Sequence, residues 1–251
     1  MAADFNAGAT PGAGEAGPGA PGLDRPAAPA DPKDKIVATL FTLLGEKSWG
    51  EIGLYEVAQR AGVSLAELRG AFPSKGAILA AYLRKIDLDV LSHDMRDMAD
   101  EPARERLFDV LMRRFEAMAP QREALRAVRD GLRTDPLGAT ALNQVAVSSM
   151  QWMLAAAGVN EAGPLGAARA QGLVLVTARV FDTFLRDREP GLPETMKALD
   201  EELRKAERWA QRADDLGRLA APLRSALDRI LGRDSRRPRD RSGGDDMASA
   251  A

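Results

Sequence analysis

Cysteine is absent from all 251 residues, and histidine occurs once, at His93. Without thiols there is neither a disulfide nor a thiolate nucleophile, and a reducing, cytoplasmic setting is the expectation. A Ser-His-Asp arrangement would have to use His93, which lies in a polar stretch, and no GxSxG surrounds any serine. GxxxxGK[ST] is missing too, so no phosphate-cradling loop is expected. A metal site would have to be built from oxygen ligands alone. Acidic pairs such as Glu201/Glu202 and Asp214/Asp215 read more simply as solvated helix faces. The expectation is a protein that is not an enzyme, with no cofactor and no metal. Nor is there a run of 18 apolar residues of the kind that spans a bilayer.

Charge of either sign is balanced. Lys and Arg number 35 against 37 Asp and Glu, a formal net charge of -2, which marks no whole-protein polyanion binder but leaves room for a small DNA-reading surface. With 45% hydrophobic residues the chain can bury a substantial core, and its length suits one to two domains.

The ends are compositionally distinct from the middle. Residues 1–32 contain ten Ala, six Gly and six Pro without apolar periodicity. They cannot bury enough surface to offset the entropy of ordering, and are expected to form a disordered arm. The arm opens MAADFNAG and has neither a basic start nor an unbroken apolar run, so it is not expected to be a targeting signal. At the other end, residues 233–251 are charged and contain Pro and Gly. The five arginines there are interleaved with Asp, and a solvated, disordered tail is the expectation.

Between the arms, LYEVAQRAGVSLAELRGAF at 54–72 spells a helix, a turn and a second helix. Gly62 stands where a backbone leaving a helix needs positive φ. Ser64 and Glu67 then have the spacing of a capping box that starts the next helix. Val63, Leu68 and Phe72 fall on one side of that helix and residues 65, 66, 69 and 70 on the other, the side that faces DNA in a helix-turn-helix. Upstream, Ile36, Leu40, Phe41 and Leu44 recur at helical spacing up to a turn around residues 49–53, and predict a helix sharing a core with Leu54, Val57, Leu68 and Phe72. Downstream, Ser74 is placed to cap a fourth helix with Ile78, Leu79, Tyr82, Leu83 and Ile86 as its stripe. Lys75 in its first turn opposes the helix dipole, a cost that a phosphate would turn into attraction.

After a polar stretch at 93–101, apolar residues keep helical spacing to the end of the core. The pattern predicts a helix ending before Pro120, a continuation to Pro136, then helices over 137–157, 165–186, 193–212 and 216–231. No period-two pattern interrupts them, and the fold class is all-α. Met112, Met118, Met150 and Met153 supply the adaptable thioether chains that suit an irregular apolar cavity.

Residues 36–83 resemble the TetR family of bacterial transcriptional regulators: an apolar first helix, AQRAGVS, a helix ending in Phe72, then Ser74-Lys75 opening the fourth. The resemblance implies a TetR-like fold, with a helix-turn-helix DNA-binding domain at 33–92 and a larger helical domain at 93–232 for effector binding and dimerisation. It implies a regulator, a repressor by expectation, with a double-stranded DNA operator, a small apolar effector and a second copy of the chain as partners. Ser64, Leu65, Ala66, Arg69, Gly70, Ser74 and Lys75 are the DNA-binding positions, with Arg69 and Lys75 on phosphate. Leu111, Phe115, Trp152, Met153 and Phe181 are the ligand-binding candidates. Leu173, Val180, Phe184, Leu199 and Leu203, on the two late helices, are the candidate dimer interface. The family commonly has an aromatic at the place of Arg69, a His at Gly70 and a cation near Leu65, so this recognition helix is reduced. TetR-like accessory proteins that assist ubiquinone synthesis have a similarly reduced helix, and their late segment resembles FLRDREPGLPETMKALDEEL here. A lipid-binding protein without DNA binding is the alternative.

Overall fold

In the computed structural model, residues 31–93, 98, 100–159 and 163–231 are described, with side chains as far as Arg212. All regular structure among them is helical, in agreement with the all-α expectation. The expected disordered ends lie outside the described residues, except that Asp31 and Pro32 do not belong to an arm. Asp31 accepts from the Lys33 amide at 3.0 Å and Pro32 opens the helix, so α1 runs Pro32–Glu46. An acceptor at the N-cap followed by a residue with no N–H to satisfy is a strong local start signal.

α2 (Leu54–Ala61) and α3 (Leu65–Ala71) form the helix-turn-helix. Gly62 ends α2 with φ 65°, and the amides of Gly62 and Val63 return to Gln59 at 3.1 Å and Ala58 at 3.0 Å. Ser64 begins α3 through the reciprocal box: its Oγ accepts from the Glu67 amide at 3.1 Å, and the Glu67 carboxylate accepts from the Ser64 amide at 2.7 Å. Ile36, Leu40, Leu43, Val57, Ala61 and Leu68 are buried where α1 crosses this pair. Leu54, expected in that core, is 38% exposed; Ile52 in the preceding turn takes the buried place.

α4 (Lys75–Leu91) connects this unit to the larger bundle, packing on α1 at one end and on α5 and α7 beyond. α5 (Ala103–Met118) is centrally placed, with Val110, Leu111, Met112, Phe115 and Met118 all buried. Pro120 falls in a one-turn 3₁₀ segment, Ala119–Gln121, before α6 (Arg122–Leu132). α7 (Pro136–Ala156) starts under an Asp135 cap and α8 (Gly163–Phe184) returns against it. Arg122 and Arg126 of α6 donate to the carbonyls of Phe184 and Leu185, at 3.1 Å and 2.5 Å. Cations there satisfy the orphan carbonyls of α8 and complement its dipole.

α9 spans Pro193–Leu231 without a break, so the two late segments expected at 193–212 and 216–231 are one helix. A single glycine such as Gly217 weakens a helix by about 1 kcal/mol but does not end one. Its start is held by Asp187, a buried carboxylate accepting from the Thr195 amide at 2.8 Å and hydroxyl at 2.9 Å. Among the described residues no helix is long and apolar enough to cross a membrane.

Candidate functional site

The outward side of α3 consists of Leu65, Ala66, Arg69 and Gly70, all exposed. Leu68 and Phe72 point to the core, so Ala66, Arg69 and Gly70, one or two places from them, point out, while Leu65 opens the helix 48% exposed. This surface is poor in cations. Ser64 and Ser74 each accept a cap bond on Oγ, Ser74 from the Ala77 amide at 3.1 Å, and accepting leaves the Ser74 O–H able to donate. Two backbone and side-chain hydrogen bonds from Ser64 hold the Glu67 carboxyl below its ordinary value, so it stays an anion beside Arg69. Arg69 is exposed and donates one bond to the Pro73 carbonyl at 3.1 Å.

Lys75 is not where a phosphate contact must be. Its ammonium is turned inward, donating to the carbonyls of Trp49 and Ile52, the latter at 2.8 Å, and lying 4.4 Å from the centre of the Trp49 ring. Burial lowers its pKa, with Asp135 acting in the opposite direction. Two loop carbonyls offset the cost of a cation at a helix N-terminus, a role that needed no DNA. Lys35 supplies a cation that the sequence pattern did not single out: a Cβ built on Gly62 would lie 3.5 Å from its Nζ, so it stands over the turn between α2 and α3.

The second candidate site is a cleft of about 500 Å³ among α4, α5, α6, α7 and α8. Leu79 and Leu83 of α4, Phe115 and Met118 of α5, Met150 of α7 and Phe181 of α8 are among its walls. This volume falls in the range of small-molecule pockets, and the mostly apolar lining suits an apolar ligand. Asn143, Thr177, Arg114, Arg129, Arg133 and Asp182 are the polar exceptions. Arg129 and Asp182 are paired with each other across α6 and α8; that bond is the main reason the Asp182 carboxyl lies below its ordinary value.

Of the five ligand candidates, Phe115 and Phe181 line the cleft. Leu111 and Met153 are fully buried behind it as ordinary core. Trp152 is misplaced by the expectation: it is 59% exposed on the outer side of α7, because Ser149, Met150 and Met153 occupy the inward side. Arg114 was missed, although its signal was legible: it is a cation on the buried side of α5, spaced with Leu111 and Met118.

The dimer candidates need a similar correction. Leu173, Val180, Phe184, Leu199 and Leu203 are all at most 5% exposed within one chain. They join α8 to α9 and to Phe115, whose ring lies 5.1 Å from that of Phe184, and have no surface left for a second copy. What α8 leaves outside is a stripe of Leu165, Ala168, Gly172 and Leu175, with the two leucines 54% and 53% exposed. These positions recur every three or four residues, and so lie along one side of the helix.

No protein-family model matches the chain, and no curated protein does. Solved structures do match. A TetR transcriptional regulator from Nitrosomonas europaea superposes with a TM-score of 0.55 at 24% identity, covering 70% of this chain and 97% of that one. A TetR transcriptional regulator from Rhodococcus sp. RHA1 gives 0.49 at 21% identity, covering 70% and 94%. The FadR repressor of Thermus thermophilus, solved with lauroyl-CoA, gives 0.43 at 20% identity, covering 70% and 91%. The fold of this chain is that of the TetR regulators, as the resemblance at residues 36–83 implied.

Proposed function

We propose that the chain is a TetR-type DNA-binding transcriptional regulator, a repressor, whose hold on its operator is modulated by a small, largely apolar ligand in the cleft. The observation that carries this reading is the double duty of α4. Lys75 in its first turn is tied to the Trp49 and Ile52 carbonyls of the loop that enters the helix-turn-helix, and one and two turns later Leu79 and Leu83 wall the cleft. A ligand that favours one position of α4 therefore biases the heads, provided its affinity differs between the two states. Two-fold symmetry would present two α3 helices to successive major grooves about 34 Å apart. The exposed stripe of α8 is the surface available for that pairing. Arg69 and Lys35 are the phosphate contacts in this reading, with Leu65, Ala66 and Gly70 against the bases.

The test is a gel shift with the purified chain on the DNA upstream of its own gene, at two salt concentrations, with and without an apolar extract. A retarded band that salt weakens and the extract abolishes is expected; no retardation at low salt refutes the DNA-binding role.

A second reading has its own observation. With Lys75 turned inward and the Glu67 carboxylate two places before Arg69 on α3, the recognition surface is poor in free cations. This favours a lipid-binding accessory protein on the same fold, without DNA binding, of the kind that assists ubiquinone biosynthesis. Mass spectrometry of lipid extracted from the purified chain, beside the gel shift, separates the two.

A further inference from the structure

Among the described residues, the buried polar side chains are Asp87, Arg114, Ser149, Asp187 and Thr195. The last two hold the start of α9. The other three form one cluster that ties three helices: Asp87 of α4 accepts through Oδ1 from an Nη of Arg114 on α5 and, at 2.8 Å, from the Ser149 hydroxyl on α7. A buried charge is expensive unless paired, and Asp87 is paired. Arg114 is only half used. Its planar fork has five N–H groups, and beyond that Nη none of them meets an acceptor among the described residues. Yet the side chain lines the cleft, beside Phe115 and Met118.

The other charges at the cleft are differently placed. Arg129 is committed to Asp182 and Asp130, and Arg133 is 61% exposed at the mouth. The lining thus carries three arginines against one aspartate, and only Arg114 is both buried and short of acceptors. A fork of that shape in apolar surroundings matches a carboxylate, which takes two parallel N–H bonds from guanidinium.

We propose that the cleft takes an amphipathic anion, an apolar carbon skeleton ending in a carboxylate, and that Arg114 receives the carboxylate on the N–H groups that Asp87 leaves unused. This rests on the reading of the cleft as an effector site. Its consequence is a route for the signal. A second anion at Arg114 competes with Asp87 for its positive charge, and Asp87 belongs to α4, so occupancy loosens the polar tie between α4 and the α5–α7 bundle.

Titration calorimetry of the full-length chain with decanoate and with decanol, both below micellar concentration, tests this. Wild type should bind decanoate about tenfold or more tightly than decanol, as a charge-assisted pair predicts. Arg114→Met should erase that advantage and leave decanol binding as it was, whereas Arg133→Gln should keep it. Asp87→Asn, isosteric and still able to meet Ser149, should tighten decanoate alone; if Arg114→Met does not fold, this comparison decides. Equal binding of the two by wild type, an advantage that survives Arg114→Met, one lost in Arg133→Gln, or decanoate binding unmoved by Asp87→Asn overturns the proposal while the cleft remains a ligand site. Binding of neither compound overturns the effector-site reading and the proposal with it.

Discussion

Gly131 of α6 lies against Trp49 so closely that a Cβ on the glycine would come within 2.5 Å of the tryptophan Cβ. Trp49 is in turn covered by the Lys75 ammonium on its ring. The loop between α1 and α2 is thereby clamped between α4 and α6, which makes it a mechanical joint between the helix-turn-helix and the bundle. Gly131→Ala would gain about 1 kcal/mol of helix propensity and lose about 1–3 kcal/mol to overpacking, since the clash is with atoms next to backbone. Net destabilisation in urea is expected, whereas Gly70→Ala, with no atom near its would-be Cβ, should be neutral or stabilising.

Lys75 and Arg69 should separate cleanly. Lys75→Ala removes a cation from two loop carbonyls, and is expected to cost about 1–2 kcal/mol of stability while leaving the salt dependence of DNA binding unchanged. Arg69→Ala and Lys35→Ala should leave stability within about 0.5 kcal/mol and each lower the salt slope by about one. Denaturant melts and DNA titrations at three salt concentrations check both halves.

Ala146 of α7 lines the cleft, and Ala146→Phe fills it with a ring. Ligand-induced rises in melting temperature, which grow as the logarithm of ligand concentration, should vanish in this variant with the helical circular dichroism intact. Trp152→Phe should change neither ligand response nor stability by more than about 0.5 kcal/mol, because the indole is exposed.

A charge on α8 should act differently on its two sides. Leu175→Glu, on the exposed stripe, is expected to give a folded monomer by light scattering. Val180→Asp buries an unpaired carboxylate at a site with no exposure and should unfold the chain, visible in circular dichroism. A folded Leu175→Glu dimer would remove the stripe as the interface.

Acid should loosen the start of α3. Because the Glu67 carboxyl is held below its ordinary value by the Ser64 amide and hydroxyl, its contribution is present above the unfolded pKa and is lost as pH falls through the lower folded one. Glu67→Gln should flatten that part of the pH dependence of stability, followed by urea melts in steps below pH 5.

Local chemistry was legible in the sequence. The turn at Gly62, the Ser64–Glu67 box and the Ser74 cap depend on residues at most five apart, so their spacing determined the helix-turn-helix and the outward direction of Arg69. The helical spacing of apolar residues likewise determined that the regular structure among the described residues is helical, and placed Phe115 and Phe181 on inward sides. What lay beyond a few residues was decided only by packing. Lys75 reaches carbonyls more than 20 positions away in the chain, and those acceptors exist for it only once α4 stands beside the loop at Trp49. A helix of apolar residues does not say which neighbour buries it: Val180 and Phe184 were taken by α9 and α5 rather than by a second copy, while Leu175 was left outside. Trp152 lost its place to the smaller Ser149, which α4 requires as a donor to Asp87. That pairing of α4, α5 and α7 around one carboxylate joins residues up to 62 positions apart, and no periodicity within a single helix encodes a contact of that range.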